Sequence, residues 1–373
     1  MKHYYLGLAA GYSAKQILKH TFAIGCERDR GALQRYLTQR YKGETILAKN
    51  GRSALTLALK AYFEPGDGVI LNGFTCYAVY EAVKEAQLVP IWADINKDSL
   101  NFDKDTLEQA ISAATSVAGS TTNIKGIVVQ NSLGNPVDIA KIEKIAKKHN
   151  LMIVEDMAHC VGAKYPDGRE VGTVGVAAAL SFGKDKAIDA ISGGAVVLRD
   201  PLKSPIKAPN KLPKISDTLR ARFYPIFGAV ARGLSYIHLG GIWMRALVKI
   251  HWVEKSADNK LDITRKIAKF EAKMALGQLK NISDIKSPLR KYYLVRDRGK
   301  VLGELRKNGY YFDGLWYEKP VSPIRYYKKV HFPEDRCPVA TKVAQEIVNL
   351  PTYYAEQSLA EAKKIIGKNK EEQ

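Results

Sequence analysis

Between about residues 52 and 200, apolar β-rich runs alternate with helical stretches, and this alternation limits the possible folds more than any other feature of the chain. The strand-like runs fall at 69–71, 89–95, 126–130, 152–155, 178–182 and 194–198. Between them, 53–63, 76–86, 104–114 and 139–149 repeat apolar residues every three or four positions, the spacing of a helix with one buried face. Strand then helix, repeated, predicts an α/β fold in which a mostly parallel sheet is covered by helices on both sides.

The pattern changes further along. A charged amphipathic helix is expected over 265–280, another over 289–307, a strand around 310–316 and a closing helix over 359–366, which together describe a smaller α+β unit. The chain therefore divides into a large α/β domain over 1–200, a segment over 201–260, and a small C-terminal α+β domain over 261–373. A length of 373 residues with 46% hydrophobic and 26% charged residues suits such an arrangement in an ordinary soluble globule.

The middle segment is unusual. It holds eleven Lys and Arg against three Asp and Glu, and within it runs Phe223-Tyr224-Pro225-Ile226-Phe227, with further apolar residues as far as Trp252-Val253. Arg232, Arg245 and Lys249 interrupt the apolar stretches, which fall short of the ~20 residues a spanning helix needs. Two readings stay open: a surface-covering insertion packed on the large domain, or an interfacial segment that touches the inner membrane leaflet or a lipid-linked sugar.

Charge and cysteine content set broad expectations. The formal charge of +20 favours polyanions without choosing among them. No helix-turn-helix, RNP-like or zinc pattern accompanies it, so no specific nucleic-acid partner and no metal site are expected. No G-x-G-x-x-G follows the first strand, which argues against dinucleotide binding. Cys26, Cys76, Cys160 and Cys337 are widely spaced, and the N-terminus lacks the apolar core of an export signal, so the expected location is the cytoplasm, with the inner membrane surface as a peripheral site.

The polar residues suggest a chemistry. A strand ending in Val154-Glu155-Asp156 delivers Asp156 to the carboxyl edge of the sheet, where open α/β folds bind ligands. A later strand ends at Ser181-Phe182, and Lys186 follows in a polar turn. A carboxylate and a lysine at one sheet edge suit pyridoxal 5'-phosphate (PLP): the amine condenses with the cofactor's aldehyde, and the carboxylate keeps the pyridine nitrogen protonated. Asn50-Gly51-Arg52-Ser53, opening a helix, offers backbone N–H groups and a positive dipole end to a phosphate.

Taken in order, Gly51-Arg52-Ser53-Ala54-Leu55, Phe74-Thr75-Cys76, Val89-Pro90-Ile91 with Asp94-Ile95, Gly134-Asn135-Pro136, Glu155-Asp156-Met157-Ala158-His159, and Ser181-Phe182 through Lys186 to Gly193-Gly194 resemble the DegT/DnrJ/EryC1/StrS sugar aminotransferases. The resemblance runs from about residue 30 to 200 and resumes over 265–373. It implies a three-layer fold-type-I PLP transferase, usually a homodimer, that moves an amino group from glutamate or glutamine to a keto sugar, commonly nucleotide-linked. By position, Lys186 is the cofactor-linking lysine, Asp156 the partner of the pyridinium nitrogen, and His159 a residue beside the ring. Ser181, Arg52 and Ser53, with Gly51, take the phosphate.

Two departures from the family pattern stand out. Cys76 occupies the position of the stacking aromatic ring, which leaves that role to Phe74 or Tyr77. Thr264-Arg265-Lys266 stands where many members carry an Asn-Tyr-Arg that reaches the partner subunit's site.

Plainer readings accompany these assignments. Lys186 can be a solvated loop lysine, Asp156 a helix cap, His159 a packed core histidine, and Arg52 an exposed helix residue. Cys160 is read as packing alone. Other classes of function remain beside the sugar aminotransferase: an aminotransferase for a non-sugar ketone such as a cyclitol, or a non-catalytic PLP- or sugar-nucleotide-binding relative.

Overall fold

The computed structural model describes residues 4–5, 12–116, 123–199, 202, 204–254, 258, 260–282, 290–311, 315–352 and 356–369. Its centre is a seven-stranded sheet made of β1 (Glu44–Ala48), β2 (Gly68–Asn72), β3 (Val89–Ala93), β4 (Ile124–Val129), β5 (Met152–Asp156), β6 (Ala177–Ser181) and β7 (Gly194–Leu198), in the spatial order β1-β7-β6-β5-β4-β2-β3. From β6 through β3 every neighbouring pair is parallel, whereas β7 runs antiparallel to both β6 and β1.

Strand periodicity places alternate side chains in two cores. Ile70, Ile127, Val129, Ile153, Leu180 and Val197 enter one, shared with the helices Glu27–Tyr41, Lys104–Thr115, Ile139–Lys148 and Lys269–Leu279. Val69, Leu71, Val128, Val154, Ala179 and Val196 enter the other, filled by α1 (Gly51–Tyr62) and the helix Tyr77–Glu85. The sheet is thus a middle layer between two helical layers. Both of its faces are dry, so its polar features are confined to strand ends.

Several elements depart from the sequence expectations. Helix formation over 265–280 starts only at Lys269, because Arg265 is held in a bridge with Lys211 and the Glu271 carboxylate caps the Ala268 N–H at 2.9 Å. The helix expected over 289–307 divides in two. The aromatic stretch Arg290–Leu294 pairs antiparallel with Ile347–Pro351, and a helix begins at Arg298 where Asp297 accepts the Lys300 N–H at 2.9 Å. Of the strand expected over 310–316, Tyr310–Tyr311 pairs with Tyr4–Tyr5, and residues 312–314 lie outside the described residues. The closing helix spans Ala360–Gly367.

The basic segment is helical: α2 (Ile215–Ser235), with Pro225 inside it, packs against α3 (Gly240–Lys249) and against the helix Ala14–Phe22. Two smaller apolar clusters complete the structure. One joins the helices Arg298–Lys307 and Ala360–Gly367; the other ties Phe74, Leu100 and Leu133, at the sheet edge, to Tyr317, Ala340 and Val343 from the C-terminal part. That second cluster, with the pairing of Thr75–Cys76 to Val321–Ser322, brings the C-terminal part over the carboxyl ends of the strands.

Candidate active site

The carboxyl ends of the parallel strands open into a cleft with about 810 Å3 of empty space, walled by Asn50, Gly51, Cys76, Asp156, His159, Ser181, Lys186 and Tyr317 among others. Asp156 is the last residue of β5 and Ser181 the last of β6. His159 and Lys186 follow in the turns beyond, and Gly51 opens α1 directly after β1. A topology of parallel strands with buried faces leaves this edge as the natural place for chemistry.

Two adjacent carboxyl groups show how the site is set. Glu155 is fully buried and its carboxylate accepts hydrogen bonds from Tyr165 Oη at 2.8 Å, Gly172 N at 2.7 Å, Val174 N at 2.8 Å and Gly175 N at 2.7 Å. It is saturated with donors and holds the loop that follows β5. Asp156, on the opposite side of the same strand, accepts only the Ala158 N–H, at 3.0 Å, among the described residues. Burial pushes its pKa up to about 6, partly opposed by the N–H and by Lys186.

Lys186 is also desolvated, which lowers its pKa, with Cys76, Asp156 and Asp185 acting in the other direction. Its Nζ lies 5.1 Å from the centre of the Trp316 ring. The turn that carries it is clamped by Asp189, whose carboxylate accepts from Asp185 N at 3.0 Å, Ile191 N at 2.9 Å and Tyr12 Oη at 2.6 Å. Gln278 fixes Asp189 in turn, accepting its N–H at 2.9 Å and donating to its carbonyl at 2.7 Å. Lys186 is therefore held on a backbone anchored from two distant parts of the chain.

His159 is buried. Its Nδ1 accepts the Leu133 N–H at 3.2 Å, and its ring stacks on Trp316 at 5.3 Å. Burial lowers its pKa well below the usual value, and the nearby cations Lys186 and Arg290 lower it further. The imidazole is neutral, with its proton on Nε2.

An anion cradle lies at the start of α1. A Cβ added to Gly51 would come within 2.5 Å of Ser181 Cβ and 2.7 Å of Ser181 Oγ, so only glycine lets the helix start approach the end of β6 so closely. Asn50 Oδ1 caps the helix by accepting Ser53 N–H at 2.9 Å, while Asn50 Nδ2 is buried without a hydrogen-bond partner among the described residues. An orphaned donor in a cleft wall is suited to an incoming acceptor.

The structure brings Lys186, Asp156, His159, Ser181, Gly51 and Arg52 to the cleft wall. The Arg52 guanidinium forms an ion pair with Glu81. Ser53 is not in the wall; its hydroxyl donates to the Asp262 carbonyl at 3.1 Å and its N–H serves the cap. Phe74 and Tyr77 are not in the wall either. Phe74 is sealed in the apolar cluster, 4.7 Å from the Tyr317 ring, and Tyr77 stacks on Tyr326 at 4.3 Å. Cys76 stands at the wall between them, as the Thr75–Cys76 pairing with Val321–Ser322 dictates.

Sequence reasoning passed over Trp316, Tyr317, Arg290 and Asp189, and read Asn50 only as part of the turn that opens the helix. Trp316, Tyr317 and Arg290 lie far along the chain in segments that carry no motif, and Asp189, though close to Lys186, acts through partners at Tyr12 and Gln278. Lys266, from the Thr264-Arg265-Lys266 stretch, borders a second cavity of about 630 Å3 with Lys49 and Lys184, next to the cleft. Lys184 is buried there with its Nζ 4.2 Å from the Tyr224 ring, and burial lowers its pKa to about 8.

The arrangement supplies a buried amine of reduced basicity, a carboxyl group poised near neutrality, a neutral imidazole, and a glycine-opened helix start for an anion. The profile of the DegT/DnrJ/EryC1/StrS aminotransferase family matches residues 30–208. Over that stretch, just under half of the chain, it is similar to the DegT/DnrJ/EryC1/StrS aminotransferase family.

Among curated members, it is similar to L-glutamine:2-deoxy-scyllo-inosose aminotransferase of Streptomyces kanamyceticus, with 34% identity over 158 residues, 42% of this chain and 35% of that protein. It is also similar to GDP-perosamine synthase of Escherichia coli O157:H7, with 32% identity over 167 residues, 44% of this chain and 43% of that protein. The chain thus aligns with less than half of the length of either relative. A DegT/DnrJ/EryC1/StrS aminotransferase from Brucella abortus shares the fold, with a TM-score of 0.64 and 21% identity over 95% of this chain and 92% of the other.

Proposed function

We propose that the chain is a PLP-dependent aminotransferase that moves an amino group from glutamate or glutamine to a keto sugar, in its commonest form nucleotide-linked. The observation that carries the reading is the convergence of Lys186, Asp156 and the unpartnered amide of Asn50 in one cleft. A cyclitol ketone is the second acceptor class, favoured by the relative whose name contains 2-deoxy-scyllo-inosose.

The residues fit the cofactor. Lys186 would attach to it, Asp156 would face the ring nitrogen and His159 would flank the ring. Ser181, Asn50 Nδ2 and the first turn of α1 would take the phosphate, where Gly51 leaves the required space. When bound, PLP supplies an electron sink for the charge left as an amino acid's α proton departs.

The protein's own groups do the rest. Lys186, lowered in pKa and clamped through Asp189, accepts a proton at Nζ and returns it, as a general base and then an acid. Asp156 is raised by desolvation, so a cation placed beside it and its ionisation reinforce each other. His159 stays neutral: the Leu133 N–H holds Nδ1, which leaves the ring proton on Nε2. The Trp316 ring and the apolar cluster behind Tyr317 keep water from this end of the cleft.

The reading carries a homodimer and a cytoplasmic location with it, supported by the family for the first and by the four free thiols for the second. Incubating the purified chain with PLP, glutamate or glutamine, and a panel of keto sugar nucleotides and cyclitol ketones tests it. Release of the donor's 2-oxo acid, 2-oxoglutarate or 2-oxoglutaramate, with one acceptor class is expected; no release from either donor with any acceptor overturns it.

A further inference from the structure

Away from the cleft, the helical pair α2 and α3 presents a surface that the chemistry above does not use. Of the large apolar side chains left exposed among the described residues, all but Val89 and Ile324 fall within 18–24 and 212–252. The two stretches are joined: the helix Ala14–Phe22 packs on α2, where Arg222 donates to the Thr21 carbonyl at 3.1 Å, and α3 packs on α2 through Trp243 Nε1, which donates to the Phe227 carbonyl at 3.3 Å. Scattered exposed apolar residues are ordinary, whereas a concentration of this kind marks a docking surface.

The surface also contains a groove. Phe223, Phe227, Leu247, Ile250 and Trp252 enclose about 570 Å3 of empty space open to the outside, with no charged side chain in its wall among the described residues. Such a groove suits a hydrocarbon chain.

Charge identifies the occupant. The three acidic residues between 201 and 260 are all engaged: Asp217 with Lys49 at 3.1 Å, Glu254 with Arg220 at 2.8 Å and Asp258 with Arg325 at 2.7 Å. Lys15, Lys19, Arg245 and Lys249 are exposed and in no ion pair among the described residues. We propose that this face docks on the surface of an anionic lipid bilayer, with exposed apolar side chains of α2, α3 and the Ala14–Phe22 helix in the headgroup boundary and a lipid acyl chain in the Phe223–Trp252 groove.

A second copy of the chain fits less well, because a two-fold contact would set this basic face against itself. Insertion across a bilayer is not required: among the described residues no helix is long and apolar enough to span one. The face has the composition of an interfacial element, with cations and aromatic residues interleaved around an apolar surface.

The test is co-sedimentation of the full chain with vesicles of phosphatidylcholine alone and with vesicles of equal parts phosphatidylcholine and phosphatidylglycerol. Binding to the mixed vesicles is expected, weaker at high salt, with little binding to phosphatidylcholine alone. Arg245→Glu with Lys249→Glu lowers it about ten-fold or more. Ile242→Asp with Ile250→Asp, at positions 53% and 60% exposed, abolishes it while the melting temperature of the protein stays unchanged. No binding of the native chain to mixed vesicles, or equal binding by these variants, overturns the proposal. Sedimentation velocity without lipid supplies the remaining arm: conversion of a dimer to a monomer by Ile242→Asp would assign the face to a second copy and equally overturn it.

Discussion

Residues 44–199 and residues 212–252 are both rich in apolar side chains, yet the two regions place them in opposite ways. In the first, strand alternation distributes them between two closed cores, and the parallel strands terminate in polar residues that meet at one edge. In the second, helices α2 and α3 bury one side and leave Ile215, Leu219, Ile242, Ile250 and Trp252 exposed. The difference teaches that the first region is determined by its own packing and holds reacting groups rigidly, whereas the second is completed by something outside the chain. Changes in the first should therefore alter chemistry or folding, and changes on the exposed face of the second should alter neither.

The sharpest way to test that division is Lys186→Ala. Removing the amine should abolish turnover, a loss of about 10⁴-fold or more in kcat, with the fold intact. Rates of 2-oxoglutarate release and a melting curve measure both. A variant that retains native turnover would break the account of the first region.

The neighbouring carboxyl groups give the next effect. Glu155→Gln strands some of the four donors that its carboxylate now serves, and a loss of about 3 kcal/mol of stability is expected in denaturant titration. Asp156→Asn should act in reverse on the cofactor-free protein. The Asp156 pKa, about 6 in the fold against 3.8 for the free group, means that the unfolded chain loses this proton first as pH rises. Its burial therefore costs stability progressively from about pH 4 to pH 6 and fully above that. The asparagine variant should gain about 2 kcal/mol at pH 8, gain nothing from this source below pH 4, and lose kcat about 10²-fold or more. Equal stability at pH 8 would show that Asp156 is not strained by its site.

Smaller still is Gly51→Ala. The added methyl meets Ser181 at 2.5 Å, so PLP affinity should fall about ten-fold with a stability loss of about 1–2 kcal/mol, read by titrating the cofactor's absorption. The smallest effect belongs to the second region. Ile242→Asp should change stability by about 0.5 kcal/mol or less and leave kcat unaltered. A large loss there would merge the two regions into one and remove the contrast.

How much of this was readable beforehand follows the same line. The six strands between 69 and 198 and the helices between them stand out because a sheet buried on both faces demands continuous apolar runs at regular spacing. Asp156, Ser181 and Lys186 are legible because strand ends at one edge share a location whatever the loops do. The first strand, Glu44–Ala48, and the helix Glu27–Tyr41 escaped notice, since the helix is strongly charged and buries only a narrow stripe at Arg30, Leu33, Leu37 and Tyr41. The split of 289–307 into strand and helix depends on pairing with Ile347–Pro351, over fifty residues away, and no local signal reports such a partner.

At the site, Arg52 illustrates the same limit. Its position at the start of α1 is evident, but its ion pair with Glu81 depends on how the helix Tyr77–Glu85 packs beside α1. The clamp of Tyr12 and Gln278 on Asp189 joins three distant segments and has no signature in any one of them. The composition of 201–260 announced an unusual surface; its groove emerges only when α2 and α3 pack together.

The most direct test of the central claim is the visible absorption spectrum of the purified chain titrated with PLP, for the native protein and for Lys186→Ala, before and after glutamate is added. The account predicts that the native protein gives a visible band of lysine-bound cofactor that glutamate removes, and that the alanine variant gives neither the band nor the change. Failure of the native protein to bind PLP, or a native spectrum that persists in Lys186→Ala, would contradict it.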